Sequence, residues 1–187
     1  MSTFFPDSDY TTPEDLPQSL PSRLIGMRAL PFYWGMSSVV LHARKLSLRG
    51  EFDGESWIQH SRDIMASAER NGARIHVTGF DKFRSVPGPV VFIGNHMSTL
   101  ETFILPCMIQ PDKPLTFIVK ESLCKHAAFG PVMRSRDPVT VTRTDPRKDL
   151  KAVLTGGVAR LAAGISMCVF PQSTRKFEFE VANFNSI

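Results

Sequence analysis

Apolar residues fall along this chain in three patterns, and each predicts a different kind of element. Short, mostly apolar runs bounded by turn residues occur at Val90 to Ile93, Leu115 to Val119 and Ile165 to Phe170. Runs of that length read as strands covered on both faces, the habit of a parallel sheet. Arg74 to Phe80 (RIHVTGF) and Val139 to Thr142 alternate instead and read as further strands. Helical spacing fills the intervals. Asp53 to Gly72 places Trp57, Ile58, Ile64, Met65 and Ala68 on or near one face and ends at Asn71-Gly72. Ser98 to Ile109 reads as a helix stopped near Pro111. Asp145-Pro146 opens another, with Leu150, Val153, Leu154, Val158 and Leu161 as the expected buried face and Gly156-Gly157 permitting close approach to the sheet. Strands alternating with helices predict an α/β fold with a mostly parallel central sheet flanked by helices.

The chain ahead of that alternation divides in two. Residues 1–21 are rich in Pro, Ser, Thr and acid and read as a flexible or surface-draped acidic arm. Residues 22–72 read as a helical lead-in, leaving 73–187 for the α/β domain. From Arg23 to Arg49 the chain turns apolar and aromatic, interrupted by Arg28, Pro31 and Gly35, and Pro31 is expected to kink it. Spanning a bilayer takes about 20 consecutive apolar residues, which this stretch lacks. Tyr33 and Trp34 suit the headgroup zone, and Arg23, Arg28, Arg44, Lys45 and Arg49 suit anionic lipid. An amphipathic, membrane-facing segment and an ordinary helix packed on the core both fit the pattern.

Composition narrows the partners. The chain has 187 residues, 42% of them hydrophobic, enough for one domain with a genuine core. Its net charge is +4, yet residues 1–22 hold Asp7, Asp9, Glu14 and Asp15 and no Lys or Arg, so the rest carries +8. A basic body fits an anionic partner such as a phospholipid surface, a phosphorylated acceptor or coenzyme A. Nucleic acid is the weaker choice, since the cations are dispersed and no nucleic-acid module is recognisable. Cys107, Cys124 and Cys168 are odd in number, without metal-type spacing, and sit in apolar surroundings. They read as reduced core residues, which with the lead-in segment suggests membrane association on the cytoplasmic side.

The candidate chemistry lies at strand ends. Val90 to Glu101 (VVFIGNHMSTLE) delivers His96 just past a buried strand, where ligands sit in open parallel sheets. A histidine there is suited to take and return a proton. Glu101, five residues on, is placed to hold the imidazole tautomer. Ser98 to Glu101 also spells a helix capping box, which would employ Glu101 structurally. Lys120 and Arg143 end two other strands, where both suit phosphate recognition, while an exposed loop lysine and an ion-pairing arginine fit the same positions. Arg134 and Arg136 are looser candidates for coenzyme A phosphates. Ser173, Thr174 and Arg175 follow the last strand and make either a phosphate cradle or an ordinary turn. His60 reads as solvent-facing, His76 as a strand-surface residue, and His126 has no partner that the sequence identifies.

NHMSTLE resembles the histidine-plus-acid block of the glycerolipid acyltransferase family, with glutamate where aspartate is usual. Two further blocks follow in family order. Lys120 to Arg143 resembles the second, and Phe170 to Arg175 (FPQSTR) the third, with Gln172 and Ser173 where glutamate and glycine are usual. The similarity runs from Arg74 to the end. It implies a further helix, a strand and a proline-containing fourth block beyond Ile187, so the chain is expected to be truncated. It also implies acyl transfer from acyl-CoA or acyl carrier protein to the free hydroxyl of a lysophospholipid such as lysophosphatidate, in phospholipid biosynthesis or remodelling. His96 would be the base and Glu101 its support. Arg143, Thr174 and Arg175 would hold the acceptor phosphate, with Lys120, Gln172 and Ser173 in the binding set. No metal and no bound cofactor are expected. The alternative is a non-catalytic lipid-binding module on the same fold. A serine hydrolase built on Ser98 ranks low, for want of a Gly-x-Ser-x-Gly elbow.

Overall fold

The computed structural model describes residues 5–19 and 29–172. Within them the order is β1 (Tyr10–Thr11), α1 (Ala29–Arg49), α2 (Gly54–Arg70), β2 (His76–Val77), α3 (Phe80–Arg84), β3 (Val91–Ile93) and α4 (Leu100–Ile109). There follow β4 (Leu115–Lys120), α5 (Glu121–Lys125), α6 (Gly130–Ser135), β5 (Val139–Val141), α7 (Pro146–Ala162) and β6 (Ser166–Val169). The α/β expectation holds. Four strands form a parallel sheet in the order β3-β6-β4-β5. The chain leaves β3, crosses through α4 and enters β4 one place away, and β6 later fills the gap.

One face of the sheet makes the core with α2 and α4. Phe117 of β4 meets Trp57 of α2 edge to face, ring centroids 5.8 Å apart. The two helices are stitched where the Ser61 hydroxyl donates to the Phe103 carbonyl at 2.6 Å and accepts from the Cys107 amide at 2.9 Å. All three cysteines are buried and unbridged. Burial pushes the Cys107 thiol up to about 11 and the Cys168 thiol to about 12, which keeps both protonated and inert at neutral pH.

The opposite face carries α7, and there the apolar stripe does not do what its spacing predicts. A Cβ on Gly157 would lie 2.9 Å from Met167 Cε, and one on Gly156 would lie 3.3 Å from Val139 Cγ2. The glycine pair therefore makes the contact with β5 and β6. Seating the helix on its bare backbone turns the larger residues away, so Leu154 is exposed and Val158 is 66% exposed.

α2 starts as expected, with Asp53 accepting the Ser56 amide at 2.8 Å, and buries Trp57, Ile64, Met65 and Ala68. His60 is a correction: it is 8% exposed. It stands three residues after Trp57 and four before Ile64, on the buried stripe rather than off it. Its Nδ1 lies 2.6 Å from the Ser56 carbonyl and its Nε2 lies 2.9 Å from His42 Nδ1 of α1. That bond fixes His60 Nδ1 as a donor and leaves Nε2 to accept from His42.

The strand expected over Arg74 to Phe80 shrinks to β2, because its one partner is the two-residue β1, antiparallel to it. Gly79, at φ 86°, then turns the chain into α3. Of the leading arm, residues 5–19 are draped against the body. Phe5 is buried and stacked on Phe80, and the Tyr10 and Thr12 hydroxyls donate to Glu69 Oε1 at 2.7 and 2.6 Å. Pro31 lies within α1, two residues after its first described position. α1 packs on α2 and buries Val40 and Ala43, while Leu30, Tyr33, Trp34, Leu41 and Leu48 remain exposed. No described helix is long and apolar enough to cross a membrane.

Candidate active site

All four parallel strands point their carboxyl ends at one edge, and the candidate residues gather there. Past β3 the ladder continues one step, with the Gly94 amide donating to the Val169 carbonyl at 3.1 Å. The chain then breaks free into a loop carrying His96. Its ring stacks on Phe170, just past β6, at 4.7 Å and 23°. His96 Nδ1 lies 2.8 Å from Glu101 Oε1. An imidazole whose Nδ1–H donates to a carboxylate has its lone pair on Nε2, the form required of a base.

Glu101 holds the imidazole and also gathers the turn ahead of α4, but the capping box does not form as spelled: Thr99, not Ser98, is the N-cap residue, and it makes no side-chain cap bond. Oε1 accepts the Met97 amide at 2.8 Å besides the imidazole, and the Ser98 amide reaches both oxygens at 3.0 and 2.9 Å. The Ser98 hydroxyl donates to Oε2 and accepts from the Leu100 amide at 3.1 Å. One carboxylate thus clamps the histidine and ties the turn that leads into α4. Burial alone would raise the Glu101 pKa, but the bonds from Ser98, His96 and Met97 outweigh it and hold the carboxyl below its usual range. Glu101 is consequently ionised at neutral pH.

His96, Lys120 and Arg143 come from the ends of three different strands and line one cavity of about 230 Å³. Its remaining wall is largely apolar, drawn from α1, α2, α4, β4 and α6, and includes Phe52, Trp57, Phe117 and Met133. Stacked and edge-on rings lead inward from the histidine: Phe170 to Phe117 is 6.4 Å and Phe117 to Trp57 is 5.8 Å. The cavity therefore joins a base and two cations to an apolar interior.

Arg143 is held in an uncommon conformation, at φ 62°. The cause is Asp149 in the first turn of α7, whose carboxylate takes the Thr142 amide at 2.7 Å, the Thr142 hydroxyl at 3.0 Å and the Arg143 amide at 2.6 Å. Those bonds, the Thr142 amide first, hold the Asp149 carboxyl below its ordinary value.

Other sequence candidates fall elsewhere. Gln172 is 2% exposed, is not among the residues lining the cavity, and turns its Oε1 to the His96 amide at 2.6 Å. Arg134 donates to the Cys124 carbonyl, and Arg136 lies over Trp57 at 5.6 Å, so both are engaged within the fold rather than presented as a phosphate site. His126 Nδ1 accepts the Ala128 amide at 3.2 Å, and His76 is exposed on β2. Ser173, Thr174 and Arg175 lie outside the described residues. Among the described residues no group of His, Cys, Asp or Glu is gathered as a metal ion would require. The sequence reading missed Phe170 as the surface under His96 and Asp149 as the brace of Arg143. An acid in the first turn after Asp145-Pro146 was the available hint for the second.

The family model described as Acyltransferase matches residues 74–186. The chain is 27% identical over 150 residues to a 1-acyl-sn-glycerol-3-phosphate acyltransferase of Pseudomonas aeruginosa, covering 80% of this chain and 56% of that protein. It is 27% identical over 111 residues to the chloroplastic 1-acyl-sn-glycerol-3-phosphate acyltransferase LPAT1 of Arabidopsis thaliana, covering 59% of this chain and 30% of that one. The chain thus spans about half the length of the first relative and less than a third of the second. No solved structure matches it.

Proposed function

The chain belongs to the acyltransferase family, and we propose that it moves a fatty acyl group from a thioester donor, acyl-CoA or acyl carrier protein, to the free hydroxyl of a lysophospholipid such as lysophosphatidate. The observation that carries this reading is the cavity in which a Glu101-backed His96 shares the wall with Lys120, Arg143 and an apolar interior.

His96 Nε2 takes the proton of the acceptor hydroxyl as its oxygen attacks the thioester carbonyl. The C–O bond forms, the C–S bond breaks, and the imidazolium returns the proton to the departing thiolate. Glu101 keeps the tautomer and stabilises the transient imidazolium. Arg143 and Lys120 hold the acceptor phosphate and so fix its hydroxyl within reach, a placement that is a large part of what an enzyme contributes. The apolar wall from Phe170 to Trp57 takes the acyl chain. Thr174, Arg175 and Ser173 complete the phosphate set in this proposal.

The reaction takes place at a membrane surface. α1 is braced on α2 by Val40 and Ala43 and turns outward a seam of Leu30, Trp34, Leu41 and Leu48, with Trp34 82% exposed. The helix holds Arg44, Lys45 and Arg49 and no acidic residue, the composition of a segment that lies in an anionic interface.

The test follows product lipid by mass spectrometry, with lysophosphatidate and a mixture of acyl-CoAs, and with acyl carrier protein in a second arm, beside His96→Gln. Phosphatidate formed by the native protein and lost in the variant supports the reading. Vesicle binding without transfer by either protein in either arm overturns it in favour of a binding module.

A further inference from the structure

We propose that Gln172 is a positioning residue: its side-chain carbonyl holds the main chain of His96 in register, and it acts through that histidine rather than on the substrate. The proposal rests on the reading of His96 as the base.

Residues 94–99 lie in no helix or strand, so the loop bearing His96 owes its shape to individual bonds. Glu101 secures the Met97 and Ser98 amides and the imidazole Nδ1. Phe170 supports the ring face. The backbone at His96 itself is held by the 2.6 Å bond to Gln172 Oε1, which comes from the loop after β6, 76 positions along the chain. A bond at the amide that precedes the Cα of His96 completes what Glu101 does at the Met97 amide after it, and so fixes where the ring pivots.

The chemistry of the amide sharpens the argument. A backbone N–H only donates, so the near atom of Gln172 must be its oxygen. That turns Nε2 away, and Nε2 is the buried side-chain atom left without a partner among the described residues. Burying an unpaired donor is costly, and its retention indicates that the carbonyl is what the site uses. The carbonyl is already committed, and the nitrogen is sealed from solvent, so neither is placed to read an acceptor hydroxyl. A carboxylate here would also accept from the His96 amide. Glutamine supplies the same acceptor without burying a charge beside the imidazole.

The experiment compares Gln172→Met, which keeps the side-chain length and lacks the acceptor, with Gln172→Glu, which keeps an acceptor. Two quantities are read: hydrogen exchange at the His96 amide by NMR, and kcat and KM for lysophosphatidate and acyl-CoA. In the Met variant the His96 amide should exchange about tenfold faster, with kcat down by a similar factor and KM little changed. Gln172→Glu should restore both the amide protection and most of kcat. If the Met variant does not fold, Gln172→Asn, whose carbonyl is withdrawn by one methylene, takes its place with the same expectation. A rise in KM with kcat intact would overturn the proposal, as would equal losses in the Met and Glu variants, because both outcomes make the amide nitrogen a substrate contact. Unchanged exchange in the Met variant would overturn it too. Should the native protein transfer no acyl group, the reading of the site fails by itself, while amide exchange still decides whether Gln172 holds His96.

Discussion

Glu101→Gln separates the structural from the electrostatic service of a single carboxylate. Every hydrogen-bond partner of Glu101 is a donor: His96 Nδ1, the Met97 amide, the Ser98 amide and the Ser98 hydroxyl. A glutamine can keep its oxygen toward His96 and Met97 and set its NH2 beside Ser98, whose hydroxyl rotates to accept. The turn ahead of α4 therefore survives largely intact, and the change in stability should stay under about 1 kcal/mol, about 2–4 °C in Tm for a chain of this size. What disappears is the charge facing the imidazolium at 2.8 Å. A hydrogen bond to an ionised partner contributes about 1.5–3 kcal/mol. At 1.36 kcal/mol per decade, losing it in the transition state lowers kcat by about 10- to 150-fold. KM should hold, since the charge that matters develops only as the proton moves. Initial rates over a range of lysophosphatidate, with a thermal melt beside them, make the assay. A kcat within about threefold of the native value, with the melt unchanged, would refute the electrostatic account and leave Glu101 a brace of the turn ahead of α4.

Ser98→Ala removes the largest influence lowering the Glu101 pKa, a donor that favours the charged form, so the carboxyl should titrate higher. A group with a depressed native pKa contributes stability that is lost as pH falls through that value, and in the variant the loss begins at higher pH; carbon NMR of the Glu101 carboxyl reads the change directly. Arg143→Gln should raise KM for lysophosphatidate by about 10- to 100-fold with a smaller effect on kcat, and the native KM should worsen with salt more steeply than that of the variant, which keeps Lys120. Gly130→Ala should destabilise the fold by about 1–3 kcal/mol in urea melts, because the new Cβ would lie 2.5 Å from the Cys124 carbonyl oxygen, a backbone atom with no freedom to yield.

Which parts of this arrangement are legible from the chain follows from how local each one is. β4 and β6 announce themselves because strands buried on both faces need apolar residues at every position. Their order does not, because nothing within a strand says that β6 will lie between β3 and β4. α7 misleads for a related reason. Its leucines and valines have the spacing of a buried stripe, but Gly156 and Gly157 bring the backbone itself onto β5 and β6, and the sheet contact goes with the shorter distance. His60 belongs to the stripe rather than beside it, because its spacing from Trp57 and Ile64 carries it inside, where His42 and the Ser56 carbonyl satisfy it.

The same distinction runs through the site. His96 and Glu101 are five residues apart across a single strand-to-helix turn, so their pairing is a local property that short-range sequence expresses. The Phe170 surface and the Gln172 bond exist only because β6 lies beside β3 in register, Ile93 opposite Val169. Arg143 depends on β5 at the far edge and on Asp149 of α7. The acid–base pair is thus secured within one loop, whereas the cations that would hold the acceptor are distributed over strands whose relative positions the whole sheet must maintain. Destabilising β5, the outer strand that delivers Arg143, should therefore weaken acceptor binding before it disturbs the His96–Glu101 pair. With increasing urea below the global transition, KM for the acceptor should rise while the Nδ1 proton of His96 keeps its NMR signature; simultaneous loss of the two would show that the loop has no stability apart from the sheet.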